Sequence, residues 1–153
     1  MSSIPFEISG AAVAALEAAP SLAGATILDN PDSPIALEKG DRVVFVEDKD
    51  DAPLDKPGQA EGRVFGFFVG VINRSAGARA AADNDMELVK AIVTRATRDR
   101  CKELVEQQRL VKFEYPREIQ RTYRLEGIDL SGALILTRFE ILYRLPSPTR
   151  AGT

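Results

Sequence analysis

Two runs of sequence decide the fold. The first is Asp41-Arg42-Val43-Val44-Phe45-Val46-Glu47, and the second is Arg63-Val64-Phe65-Gly66-Phe67-Phe68-Val69-Gly70-Val71-Ile72-Asn73-Arg74. Both are rich in β-branched and aromatic residues and are bounded by polar turn formers, the composition of a buried strand. Between them lies Glu47-Asp48-Lys49-Asp50-Asp51-Ala52-Pro53-Leu54-Asp55-Lys56-Pro57-Gly58, which stays polar to Glu61. That segment is too polar and too broken by proline for a regular element. The sequence therefore predicts a hairpin with an extended acidic tip. Gly66 and Gly70 mark bulges or points of close approach within its second strand.

Working outward, Ser9 to Ala19 is alanine-rich, with Val13 and Leu16 on one face. It predicts a short helix with Ser9 as N-cap and Pro20 as its stop. Ala25 to Leu28 predicts a short strand that enters the loop Asp29-Asn30-Pro31-Asp32-Ser33-Pro34. After the hairpin, Ser75 to Ala82 reads as a small-residue connection. A long helix follows from Asp83 to about Gln107, with Asp83 as N-cap and Asp85 and Glu87 placed to meet the helix dipole. Met86, Val89, Val93 and Ala96 form its apolar stripe, widened by Leu88 and Ile92, while Arg95, Arg98 and Lys102 occupy the opposite face. Val111 to Tyr115, Ile119 to Leu125 and Leu134 to Leu145 complete the strands, the last two joined through Gly127 to Gly132.

Successive strands joined by hairpins imply antiparallel pairing. The expected fold is α+β: a mostly antiparallel sheet of four to six strands, with one long and one short helix packed on one face. Residues 1–145 are expected to form a single domain and 146–153 a flexible tail. The 153 residues are 44% hydrophobic and 28% charged, which excludes a disordered chain and suits one globular domain. No stretch approaches the length and apolarity of a membrane span, and Met1 to Glu7 lacks the basic start and apolar run of a signal peptide. The expectation is an intracellular protein without membrane contact.

The sequence contains no histidine and one cysteine, Cys101. Ser-His-Asp and Cys-His nucleophile pairs, histidine metal sites and internal disulfides are thereby excluded. Cys101 follows the apolar stripe and reads as a packing residue. Asp48, Asp50, Asp51 and Asp55 are spaced somewhat like a calcium loop, but the glycine and terminal glutamate of an EF-hand are missing from their required positions. They read instead as a solvated tip or as carboxylates acting collectively on a lumen or a basic partner. From Glu47 to Glu61 there are six acids against two bases; from Arg95 to Arg124, nine bases against five acids. The bases alternate with acids, which favours a salt-bridged face or subunit contact over nucleic-acid binding. Arg138 and Glu140 alternate with apolar residues in the last strand; charges so spaced read as a solvated sheet face, or as intersubunit partners if that strand is a subunit edge. Gly66-Phe67-Phe68-Val69-Gly70 lacks the lysine and hydroxyl residue of a phosphate loop and belongs to the core. No cofactor, metal site or catalytic set is expected, and the chain reads as a non-enzyme.

The order of parts carries a resemblance. A short helix, a strand, a proline-rich Asp-x-Pro loop and the acidic hairpin from Asp41 to Val71 lead through Ile72-Asn73-Arg74-Ser75 to a helix opening on Ala80-Ala81-Ala82-Asp83. Over roughly residues 5 to 145 this resembles the tail terminator, or tail completion, proteins of long-tailed bacteriophages, including the minor tail protein U type. The resemblance implies a non-catalytic virion protein of the head-proximal tail, assembled in the host cytoplasm. It implies a hexameric ring that caps the major tail tube protein, stops its polymerisation and meets the head-tail connector or stopper protein. Phage DNA would pass through the lumen, towards which Asp48, Asp50, Asp51 and Asp55 are expected to face; Arg95, Arg98, Lys102, Arg138 and Glu140 are the candidates for the subunit interface. The alternatives are another phage neck or baseplate adaptor and a small metal-dependent enzyme.

Overall fold

A computed structural model describes residues 2–31, 40–54, 61–75, 77–124 and 132–147. The first helix, α1, spans Ile4–Ala18 and starts earlier than Ser9, because Ile4 and Ile8 extend the apolar stripe one turn upstream. Ser3 caps it by accepting from the Phe6 N–H at 3.3 Å, and Pro5 sits in the first turn, where its missing N–H is harmless. Ser9 is thus a buried helical residue and not a cap. Pro20 stops the helix as expected and opens one 3-10 turn, Pro20–Leu22.

Strand β1 (Thr26–Asp29) lies parallel to β2 (Arg42–Pro53). β2 turns back antiparallel onto β3 (Gly62–Asn73), which pairs with β6 (Ala133–Arg144). β4 (Lys112–Phe113) and β5 (Arg117–Arg124) follow one another along the other side of β6. The expected mostly antiparallel α+β sheet is therefore observed, with six strands. The expected strand over Val111 to Tyr115 shrinks to two residues, and β5 begins directly after Pro116.

The acidic segment departs most from expectation. Asp48 to Pro53 is strand, not an irregular tip: Asp48, Asp50 and Asp51 face Phe67, Gly66 and Phe65 across the β2–β3 ladder, with a register shift between Asp48 and Asp50. Backbone pairing outweighs poor strand propensity here, because β3 is long and each acid finds a polar partner. Asp55, residues 32–34 of the proline loop, the Gly127 to Gly132 connection up to residue 131, and residues 148–153 of the tail lie outside the described residues.

Helix α2 spans Ala78–Glu106, five residues longer at its start than expected. Alanine has the highest helix propensity, so Ala78 to Ala82 join the helix instead of linking to it, and Gly77 takes the left-handed entry conformation at φ 71°. Asp83 is then an interior residue. The buried stripe runs Met86, Val89, Val93, Thr97, Cys101 and Leu104; Leu88, expected to widen it, is exposed. Thr97 joins the apolar face because its hydroxyl donates to the Val93 carbonyl at 2.7 Å.

Both helices cover one face of the sheet, as expected. α1 lies on β1 and β2, and α2 lies on β3 and β6. Between them and the sheet, the rings of Phe65, Phe67 and Phe139 stack at centroid distances of 5.3 and 5.6 Å. On the other face, Val43, Phe45 and Ile72 form a smaller cluster with Leu28, Leu134 and Leu136.

One buried hydroxyl in this core, Thr137 Oγ1, has no partner among the described residues. Its desolvation is uncompensated, so the isosteric Thr137→Val is expected to stabilise the fold by about 1 kcal/mol. A urea midpoint at or below wild type would contradict this.

Candidate functional site

The polar groups of the sheet fall into two sets, one on each face, and a β-bulge at Lys49 separates them. On the open face Arg138 Nη2 donates to Asp50 Oδ1 at 2.9 Å and to Glu140 Oε2 at 3.2 Å, and Arg117 approaches Glu140 at 3.7 Å. Arg138 and Lys49 also lie over the Phe68 ring, 5.8 and 5.4 Å from its centroid. Gly66 permits this arrangement: a Cβ there would run into both the Arg138 guanidinium and the Asp50 carboxylate. Three residues flagged by the sequence, Asp50, Arg138 and Glu140, are thus in one network that the sequence did not connect.

On the helix-covered face, Asp51 accepts from Arg63 Nε at 2.9 Å and from the Tyr143 hydroxyl at 2.6 Å. Burial, with the adjacent Asp51 carboxylate, raises the Tyr143 phenol well above its ordinary range. Asp48 is held by α1 instead. Its Oδ2 accepts from Ser9 Oγ at 3.2 Å, its backbone N–H donates to Asn30 Oδ1 at 2.7 Å, and its Oδ1 is buried without a partner among the described residues.

Burial raises the Asp48 carboxyl above the usual carboxylate range; the Ser9 and Asn30 contacts pull the other way, and nearby Asp29 adds to the rise. The folded state therefore binds this proton more tightly than the unfolded chain does. Its stabilising effect is present below the ordinary carboxylate pKa and is lost as pH rises through the elevated folded value. At neutral pH the charge is a liability, so Asp48→Asn is expected to raise Tm by about 2–4 °C, with the gain fading near pH 3. Thermal melts across that range check it; a lowered Tm at pH 7 would refute it.

Helix α2 carries the remaining flagged cations. Arg98 contacts Asp99 at 3.4 Å and lies 5.8 Å from the Tyr115 ring centroid. Arg95 lines a shallow groove with Arg98 and Lys90. Arg95 and Lys102 hold no ion pair among the described residues. Neither joins Arg138 and Glu140, which lie on the far side of the sheet.

Several strong pairs were missed. Arg42 grips Asp85 in a two-pronged contact at 2.9 and 2.7 Å. Glu7 bridges Arg109 and Arg100, each at 3.1 Å, and these contacts hold its carboxyl below the usual range. Arg121 joins Glu118 at 2.6 Å to Glu87 at 2.7 Å, tying β5 to α2. An acid such as Asp85 beside the apolar stripe is the only sequence signal that anticipates any of these.

Cys101 is fully buried, and burial pushes its thiol up to about 12, as befits a packing residue. Among the described residues no group of three or more His, Cys, Asp or Glu is placed to hold a metal. No described helix is long and apolar enough to cross a membrane.

No family model and no curated protein matches the chain. Among solved structures it is similar to a chain of the virion of a native gene transfer agent particle, at 16% identity and a TM-score of 0.46, over 91% of this chain and 94% of that one.

Proposed function

We propose that this protein is a structural subunit of a phage-type virion. Six copies form a ring on the last ring of the tail tube, end its growth and present a surface to the head-tail connector or stopper. The observation carrying this reading is the distribution of polar chemistry. Many of the charged groups form surface ion pairs around a sheet whose outer strands, β1 and β5, each pair on one side only among the described residues. Such a construction suits contact between copies. The element order that underlies the resemblance to tail terminators is also present in the fold: short helix, strand, long acidic hairpin, long helix, then strands.

In this ring the acidic hairpin faces the lumen, where carboxylates repel DNA phosphates and let the genome slide. The hairpin's excess of acids, six against two bases from Glu47 to Glu61, supplies that field collectively; Asp48, Asp50 and Asp51 are themselves held within the subunit by Ser9, by Arg138, and by Arg63 and Tyr143.

Light scattering coupled to size exclusion, with electron microscopy of negatively stained particles, tests the reading. Closed six-membered rings that cap purified tail tubes are expected. A protein that is monomeric at all concentrations and leaves tube length unchanged would overturn it.

A further inference from the structure

The two flanks of this molecule carry opposite uncompensated charge. On the flank formed by α1, β1 and the start of β2, Glu17, Asp29 and Asp41 are exposed and hold no ion pair among the described residues. On the flank formed by α2 and β5, the same is true of three bases, Arg79, Arg95 and Lys102, against one acid, Glu106, so the uncompensated charge there is net positive. Exposed large apolar residues accompany those cations: Tyr115 (62% exposed) lies against Arg98, Tyr123 (52%) lines a pocket with Arg79, and Ile119 (43%) is on β5, whose outer edge is unpaired among the described residues. An aromatic centre with a charged rim is the anatomy of a protein contact.

We infer that the partner of the α2–β5 flank is the α1–β1 flank of a second copy of this chain. The contact is heterologous, head to tail, and its repetition closes the ring; it rests on the ring reading above. It also moves the acidic side of the subunit contact. The hairpin acids Asp50 and Asp51 are neutralised within their own subunit by Arg138 and Arg63, so the carboxylates that meet the neighbour are those at the β1 edge. Charges so placed steer copies into one relative orientation and reject the reversed one, in which like charges would meet.

Charge reversal tests this with two full-length variants, Glu17→Lys/Asp41→Lys and Arg95→Glu/Lys102→Glu, followed by sedimentation velocity at about 0.1 M salt. In each variant alone, both flanks carry the same sign, and self-association is expected to weaken by at least about tenfold. Mixed in equal amounts, each variant offers the flank that the other lacks, so association returns with the two alternating around the ring. All these positions are exposed, and unchanged thermal melts establish that the variants fold. Rings that form in the wild type and are indifferent to both reversals, or folded variants whose mixture does not recover, overturn this contact and leave the ring reading standing. A wild-type chain that never self-associates overturns both.

Discussion

Phe67→Ala is expected to lower the unfolding free energy by about 3–5 kcal/mol. Phe67 is completely buried and forms the middle of the three-ring stack, with Phe65 on one side and Phe139 on the other. Those neighbours come from β3 itself and from the adjacent β6, so truncation leaves a cavity walled by strands that are held in place by their ladder. Collapse is therefore limited, and the cavity contribution adds nearly in full to the lost transfer free energy. Domains of this size have about 5–15 kcal/mol in total, so the variant would be marginal, with Tm down by about 10 °C or more. A shift of the urea midpoint corresponding to less than about 1 kcal/mol would mean that the stack is not the centre of the core.

Gly70→Ala follows, with an expected loss of about 1–3 kcal/mol. Phe45 is the direct cross-strand neighbour of Gly70, and its ring lies over the glycine so closely that an added Cβ would sit inside the ring's van der Waals envelope. The ring is nearly buried in the cluster with Val43 and Ile72, so it has little room to retreat. Gly66→Ala makes an instructive contrast. There the added Cβ meets the far ends of Arg138 and Asp50, which can swing into solvent, so only an exposed ion pair is disturbed. The mechanism at Gly70 is checked by repeating the change in a Phe45→Ala background, where the loss should largely disappear. An equal loss in both backgrounds would point to the backbone and not to the ring.

Much of this architecture was legible from residue pattern. The β-branched runs at Val43–Val46 and Val64–Ile72 could only be strands, and the period of Met86, Val89 and Val93 could only be a helical core face. Cys101 was correctly assigned to packing. The limits of the reading have physical causes. Ser9 and Asp83 look like caps, but a capping residue is recognised by what precedes it, and Ser3 and Gly77 stand upstream of stretches whose propensity extends the helices. The parallel pairing of β1 is a long-range choice that four residues cannot announce. The strand character of Asp48 to Pro53 comes from the partner strand, which local composition does not include.

The candidate site was legible only residue by residue. Asp50, Arg138 and Glu140 were each singled out, but their union depends on a register that places Gly66 between Asp50 and Glu140 and lets the Arg138 side chain lie diagonally across it. The Glu7 bridge and the Arg121 junction link positions 93 and 34 residues apart, respectively, to Arg100 and Glu87. No spacing rule reaches across such separations.

The extra residue at Lys49 has a consequence for how this hairpin can change over time. Without it Asp48 and Asp50 would point the same way; with it, one reaches the helix layer and the other the open side. Adding or deleting a single codon between Val46 and Asp50 would exchange every side chain beyond it between inside and outside. Length variation should therefore be tolerated between Leu54 and Glu61 and forbidden before Asp50, giving the hairpin a counted stem and an uncounted end.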